Sequence, residues 1–339
     1  MDKIARISPE QRAELFQQTA AKFPFLSEAA IEKDFWVCWI LKQIFMSPLK
    51  DIVIFKGGTS LSKIFKLIHR FSEDIDLILN WKDNPIGNPM EVRNYTKQGK
   101  FNEELDNWSC EFIRDHILPE IRKICDGICL AEIVPDKPDN IVITYPKAFS
   151  DPYLRPQILL EIGAKAAWVP HDTYQIVPYA AEAYPGIFSS PEANIVATTP
   201  ERSFWEKVTI LHAEAHRPEN SRIRERYSRH YYDTVMIANS DVKQRAFADL
   251  ELLQNVADFK DKFYHAGWAN YKNAKPGTMK LLPPEHSLQE LRSDYQKMQA
   301  MIYEDQISFD EILDALRQLE REINDLKTNL VCKSALGGQ

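Results

Sequence analysis

Val53-Ile-Phe-Lys-Gly-Gly-Thr-Ser60, followed by Phe71-Ser-Glu-Asp-Ile-Asp-Leu-Ile-Leu79, decides the fold of this 339-residue chain. Ile52 to Phe55 is a short apolar run rich in branched residues, the pattern of a buried strand. Gly57-Gly58 lets the backbone turn sharply and come close to a ligand. Thr59 and Ser60 read as caps of a following helix whose apolar stripe is Leu61, Ile64, Phe65 and Ile68. Free amides where a Gly turn opens a helix make an anion site, so Lys56, Gly57, Gly58, Thr59 and Ser60 are candidate phosphate holders.

The second strand carries the chemistry. Alternation along Asp74-Ile-Asp-Leu77 puts Asp74 and Asp76 on one face and sends Ile75 and Leu77 to the core. Two neighbouring carboxylates repel unless a cation lies between them, and oxygen-only ligands favour Mg²⁺ or Mn²⁺ over zinc. A phosphate loop facing such a pair is the apparatus of phosphoryl or nucleotidyl transfer. The bland alternative is a turn and an exposed strand end with two solvated acids.

The Gly57-Gly-Thr-Ser60 and Asp74-Ile-Asp-Leu77 pair resembles the signature of the DNA polymerase β-like nucleotidyltransferase superfamily. The fuller string from Phe55 to Leu79 is similar to the AbiEii/MenT family, nucleotidyltransferase toxins of AbiE-type toxin–antitoxin systems. The gap from Gly58 to Asp74 is longer than in many superfamily members, which predicts an intervening helix longer by about a turn. The superfamily also carries a third carboxylate in an apolar strand. Leu160-Glu161-Ile162 matches it, placing Glu161 beside Asp74 and Asp76; an edge-strand Glu facing water is the other reading of this short pattern.

Composition sets the frame. Apolar residues make up 44% and charged residues 27%, as in a globular protein, and the length suits two domains. The net charge of −7 gives no global pull toward nucleic acid, so any such contact needs a local basic patch. Cys38, Cys110, Cys125, Cys129 and Cys332 are sparse and odd in number, which points to a reducing cytoplasm. Cys125 and Cys129 read as buried helix residues. The start of the chain lacks a signal peptide's apolar core, and no stretch approaches the length of a membrane span.

Helices are expected over Pro9 to Phe23, capped by Ser8, and Ser27 to Ile44. The second contains Glu32-Lys33-Asp34-Phe35; the AbiEii-like family has a similar segment, but spacing favours a solvated helix face. Asn80 to Gly99 reads as a loop, and Lys100 to Gly127 as a helix that Pro119 should break or kink. Leu130 to Val134 and Ile141 to Tyr145 read as strands joined by a turn over Pro135 to Asn140. A further strand is expected near Tyr174 to Val177.

From Thr199 the pattern turns helical, with Thr199 as N-cap and Pro200 at the first helical position. The expected domains are 1–198, a nucleotidyltransferase domain with a small mixed sheet, and 199–339, mainly helical: an α+β chain with its site in the cleft between them. Lys207 stands among Phe204, Trp205, Val208 and Leu211, where an ammonium either meets an anion or snorkels to water. Its Trp-Glu-Lys setting resembles the family's site lysine. Five arginines, Arg217, Arg222, Arg224, Arg226 and Arg229, interleave with Tyr227, Tyr231 and Tyr232. They form either an RNA or triphosphate groove, with rings to stack on bases, or a solvated loop. Arg229-His-Tyr-Tyr-Asp233 is similar to the family's segment with a site Asp, and Asp233 would orient Lys207 or Arg229 or reach the acceptor hydroxyl. His212 and His216 share a helix face, but Glu214 is misplaced for a zinc hydrolase.

Helices follow over Asp241 to Ala257, Ser287 to Tyr303 and Ser308 to Asn329, the last two paired as a hairpin, with a capping box at Ser308-Phe-Asp-Glu311. The basic, aromatic stretch Phe259 to Pro284 lines the site or braces the domains; part of it, Ala274 to His286, is also similar to the family.

The resemblance implies metal-dependent transfer of a nucleotide from an NTP to RNA, with the tRNA 3′ end as the expected acceptor, by a cytoplasmic toxin countered by a separately encoded antitoxin. Asp74, Asp76 and Glu161 would hold Mg²⁺ or Mn²⁺, and Lys207 would neutralise the leaving pyrophosphate. The rivals are a transferase acting on a protein or small molecule, such as an antibiotic, and a non-catalytic nucleotide-binding regulator.

Overall fold

The computed structural model describes residues 1–81, 84–151, 154–303 and 306–336, without the side chains of 327–336, so that of Cys332 lies outside the description. The chain forms two compact units, Met1–Lys66 with Phe71–Thr198, and Leu67–Arg70 with Thr199–Gln339.

The first unit is built on a seven-stranded mixed sheet. Its strands are β1 (Val53–Lys56), β2 (Ile75–Leu79), β3 (Leu130–Val134), β4 (Lys137–Thr144), β5 (Gln157–Gly163), β6 (His171–Ile176) and β7 (Ala193–Thr198). They lie in the order β3-β4-β5-β2-β1-β7-β6. β1 is antiparallel to β2 and parallel to β7, and β2 is parallel to β5. These central strands are apolar because both faces are covered. Val53, Phe55, Ile75, Leu77, Leu160 and Ile162 are buried on one face. On the other, Ile54 and Ile78 join Ala166, Trp168 and Val196.

Helices α1 (Asp2–Arg6) and α2 (Pro9–Ala20) lead to α3 (Glu28–Met46), which packs on β7 and β5. Ser8 and Gln11 cap α2 reciprocally, and the Ser27 side chain caps α3. The expectation of a solvated face at Glu32-Lys33-Asp34 is overturned, since all three are buried. Each charge has a partner across a long stretch of chain. Glu32 accepts from the Ala148 and Phe149 amides at 2.8 and 3.0 Å. Lys33 pairs with Glu73 and donates to the Arg155 carbonyl at 3.0 Å. Asp34 pairs with Lys63 at 2.7 Å and accepts from the Tyr179 amide at 2.8 Å. Helical spacing alone cannot separate a solvated charged face from one that pins several loops. Lys33→Met should therefore lower the unfolding free energy by about 3 kcal/mol, because it breaks a largely buried ion pair on one side. Chemical denaturation measures this, and a loss under about 1 kcal/mol would show that the pair is solvated after all.

Helix α4 (Gly57–Lys63) is short. Its N-cap is Lys56, so Thr59 and Ser60 sit inside the helix and do not cap it. The predicted extra turn is absent. Phe65 instead packs edge-on against Tyr174, and Lys66 turns the backbone at φ 51°. Ile68 belongs to the second unit. The next helix begins earlier than expected, as α5 (Tyr95–Phe112), capped by the Asn94 side chain. A π-turn at Ile113–Ile117 joins it to α6 (Leu118–Cys125), with Pro119 in the first turn of α6. Pro119 lacks an amide hydrogen, and the widened turn removes the need for one without ending the helical path. The hairpin between β3 and β4 is tighter than predicted, because β4 already starts at Lys137. Helix α7 (Tyr179–Ala183) follows β6.

In the second unit α8 (Pro200–Glu214) is capped by Thr199, with Pro200 in its first turn. It packs against α9 (Arg229–Ala238), α10 (Val242–Ala248) and α11 (Leu250–Phe263). One helix was expected over the last two. Asp249 divides them: its backbone is non-helical, and its side chain caps α11 through the Leu252 amide at 2.9 Å. Beyond α12 (Leu288–Met298), Ser308 and Glu311 form the expected capping box of α13 (Phe309–Leu336). α13 packs on α9, and its start also meets α12 through the Arg292–Asp310 ion pair and the Tyr295–Phe309 ring contact. Residues 67–70 join this unit, with Arg70 bridged to Ile302 and the His69 carbonyl accepting from the Tyr303 amide. Among the described residues no helix is long and apolar enough to cross a membrane.

A candidate nucleotidyl transfer site

In the first unit the strand registers place four polar residues in a row across the sheet. Lys56 of β1 stands opposite Asp76 of β2, Asp76 beside Glu161 of β5, and Glu161 opposite Asn140 of β4. Paired positions share a face, so these side chains emerge together. Asp74 immediately precedes β2, two residues from Asp76. Lys56, Asp74, Asp76 and Glu161 are partly exposed, while Asn140 is buried and its amide reaches Glu161 Oε1 at 3.5 Å.

The glycine turn lies against this row. Gly57 has φ +86°, and a Cβ built there would fall 1.9 Å from Asp76 Oδ2. Only glycine lets β1 turn into α4 with the Asp76 carboxylate in that place. The hydroxyls of Thr59 and Ser60 point elsewhere. Thr59 Oγ1 donates to the Asp74 carbonyl at 2.5 Å and Ser60 Oγ to the Gly57 carbonyl at 2.8 Å. Both residues are buried, so they fix the turn and the strand entry to one another. Lys33, through Glu73, anchors the residue next to Asp74.

Oxygen donors side by side on a strand pair suit a hard divalent cation in chemical type. Among the described residues, no three of His, Cys, Asp and Glu converge closely enough to hold an ion. Asp76 pairs with Glu161, and Asp74 lies two residues before Asp76 in the chain.

The second unit gathers Lys207, Asp233, Arg70 and His230. Lys207 Nζ lies 2.7 Å from Asp233 Oδ2 and 3.2 Å from His230 Nδ1. Phe204, Trp205, Val208 and Leu211, its neighbours along α8, are buried. Arg70 Nε and Nη2 donate to Asp233 Oδ1 and Oδ2 at 2.7 and 2.8 Å. Burial opposes the Asp233 charge, but Arg70 and Lys207 outweigh it and hold the carboxyl well below its usual range. Burial lowers the Lys207 pKa, with Asp233 opposing and Arg70 adding to the fall. Burial and then the Lys207 charge push His230 well down, so its ring is neutral and Nδ1 accepts. The carboxylate partner beyond Lys207 is thus Arg70, which the sequence reading missed. A signal was present: Arg70 stands between Ile68-His69 and Phe71, and a cation beside apolar residues calls for an anion.

Other expectations change. Tyr231 and Tyr232 are buried, so they are core residues and cannot stack on bases. Tyr227 packs edge-on to His230. Arg217 forks onto Glu214 and lies over Trp268, a structural use. Arg222, Arg224 and Arg226 are exposed and Arg229 is half-buried. His212 is buried, accepts from the Lys280 amide at Nδ1 and faces the Asn270 carbonyl at Nε2, so both ring nitrogens are engaged and neither is left for zinc. With Glu320 and Asn324 holding the Leu281 and Met279 amides, the 259–284 stretch braces helices of its own unit.

Residues 39–315 match the family model described as nucleotidyl transferase AbiEii toxin, type IV toxin–antitoxin system. Among solved structures the chain is similar to MenT4, a nucleotidyltransferase toxin from Mycobacterium tuberculosis, at 12% identity, covering 96% of this chain and 99% of that one with a TM-score of 0.46. It is also similar to JHP933 from Helicobacter pylori, at 16% identity, 92% and 99% coverage and a TM-score of 0.47. No curated protein matches it.

Proposed function

The chain belongs to the AbiEii family of nucleotidyl transferase toxins, and from that premise we propose that it transfers a nucleotide from an NTP to RNA, at the tRNA 3′ end, and so blocks translation. Membership makes it a nucleotidyltransferase of a type IV toxin–antitoxin system, with an NTP as substrate and an antitoxin as counterpart. The observation that carries the chemistry is the row Lys56, Asp76, Glu161 with Gly57 against the Asp76 carboxylate.

In the reaction an acceptor hydroxyl oxygen bonds to the α-phosphorus, the bond to pyrophosphate breaks, and the hydroxyl proton is released. Asp74, Asp76 and Glu161, which do not converge on an ion as they stand, are the residues that would hold Mg²⁺ or Mn²⁺ once drawn together; when bound, the ion would neutralise phosphate charge and acidify the attacking hydroxyl. Glu161, paired with Asp76, would help to hold that ion. The turn at Gly57 and Gly58, with Lys56 before it, receives the β- and γ-phosphates, and Thr59 and Ser60 hold the turn's shape. Lys207 meets the charge of the triphosphate and of the departing pyrophosphate, held by Asp233.

The test is incubation with each of the four labelled NTPs, Mg²⁺ and total RNA. A labelled band of tRNA size is expected; a labelled protein or small molecule, or no label with any NTP, overturns the reading.

The exposed Arg222, Arg224 and Arg226 favour RNA as acceptor in an acidic chain. Each arginine–phosphate contact releases counterions. Replacing all three with Ala should weaken RNA binding and flatten the slope of log affinity against log salt by about 2 for single-stranded RNA. Affinity measured at several salt concentrations checks this. Identical slopes would return the arginines to a solvated loop and leave a small-molecule acceptor the stronger reading.

A further inference from the structure

Two cations share one carboxylate in the second unit. Asp233 is fully buried, and the Arg70 side chain, 4% exposed, grips both of its oxygens. Lys207 reaches Oδ2 of the same group, with its side chain 12% exposed. One carboxylate, Asp233, thus faces two cations, Arg70 and Lys207, and burial beside Lys207 holds the His230 pKa well down. Arg229 contributes a further like charge to Lys207. A guanidinium fork is the geometric match for a carboxylate, so Arg70 is the cation that Asp233 compensates. Two of the three Lys207 ammonium hydrogens point to Asp233 and His230, which fixes the direction of the third.

We propose that Arg70 is a positioning residue for nucleotidyl transfer: by saturating Asp233 it leaves the Lys207 charge uncompensated and available to a triphosphate. The inference rests on the reading of Lys207 as the triphosphate's cation. Without Arg70, Asp233 would belong to Lys207 alone. The pair would be neutral, and the incoming phosphate would have to compete with a buried carboxylate for the ammonium.

The probe is inorganic tripolyphosphate with Mg²⁺, which carries three phosphates and no base. It is titrated into the full chain as wild type, Arg70→Gln, Lys207→Ala and the double variant Arg70→Gln/Asp233→Asn, with thermal unfolding alongside. Arg70→Gln should weaken binding about tenfold, and Lys207→Ala by at least as much. The double variant removes one cation and one anion together, so binding should return to within about threefold of wild type. A role of Arg70 in packing alone would not produce that recovery. Wild-type affinity in a folded Arg70→Gln, or a double variant no tighter than Arg70→Gln, overturns the proposal. Should Arg70→Gln fail to fold, the double variant decides, since it buries no unmatched carboxylate, and a tenfold loss there overturns it. Unchanged binding in Lys207→Ala would bring down the reading of Lys207 as well; weakened binding there with none in Arg70→Gln removes the role of Arg70 only.

Discussion

Asp76→Asn should reduce nucleotidyl transfer by about a thousandfold or more while leaving the unfolding free energy within about 1 kcal/mol of wild type. Asp76 occupies the centre of the polar row, opposite Lys56 and beside Glu161. The amide keeps the shape that lies against Gly57 but loses the charge a divalent cation requires. Folding should be little affected because two changes oppose each other. Repulsion from Glu161 disappears, and so does attraction to Lys56; both groups are partly exposed and screened. Transfer assays with saturating Mg²⁺ and thermal unfolding on the same preparation separate chemistry from fold. Full activity at normal stability would remove Asp76, and with it the metal mechanism, from the site.

How much of this was legible depended on the range of the signal. Strand β2 and the inward course of Ile75 and Leu77 follow from alternation, which is local. The caps at Ser8, Thr199 and Ser308 are local too, and each was readable from one residue and its neighbours. What failed was long-range. Glu32, Lys33 and Asp34 have the spacing of a wet helix face, yet their partners lie at Ala148, Glu73 and Lys63. Nothing in a helical window reveals partners so distant. Tyr231 and Tyr232 failed for the same reason: an aromatic among arginines has the same pattern whether its ring faces a base or a core.

The second unit shows a related limit. Lys207 and Asp233 could be picked out on α8 and α9, but Arg70 comes from a short segment that the chain hands to this unit before β2 begins. Within the helical unit, residues 67–70 pair through the backbone with Ile302 and Tyr303, far along the chain. A sequence reading in order along the chain places Ile68 on the stripe of α4, as was expected here, and so leaves Arg70 without a role.

Gly57→Ala should abolish transfer by about a hundredfold or more at a stability cost of only about 1–2 kcal/mol. Two separate strains arise. The backbone φ of +86° is one that an L side chain adopts only at a cost, and the added Cβ would lie 1.9 Å from Asp76 Oδ2 and 2.6 Å from its Cγ. The fold has a partial escape, because Asp76 Oδ2 and Cγ can rotate away, leaving only the tight contact with Asp76 Cβ at 3.0 Å. The site has none, since that rotation carries the central carboxylate out of register with Glu161 and off the turn. Misplacement of a reacting group by about 1 Å is enough for a loss of this size. A double-mutant cycle on stability tests the contact itself. In an Asp76→Ala background the carboxylate is gone, so Gly57→Ala should cost only the backbone part, and the two changes should be non-additive by about 0.5 kcal/mol or more. Additive costs would mean that the Asp76 carboxylate does not lie on Gly57 in solution. Wild-type transfer by Gly57→Ala would show that the turn and the carboxylate are not one site.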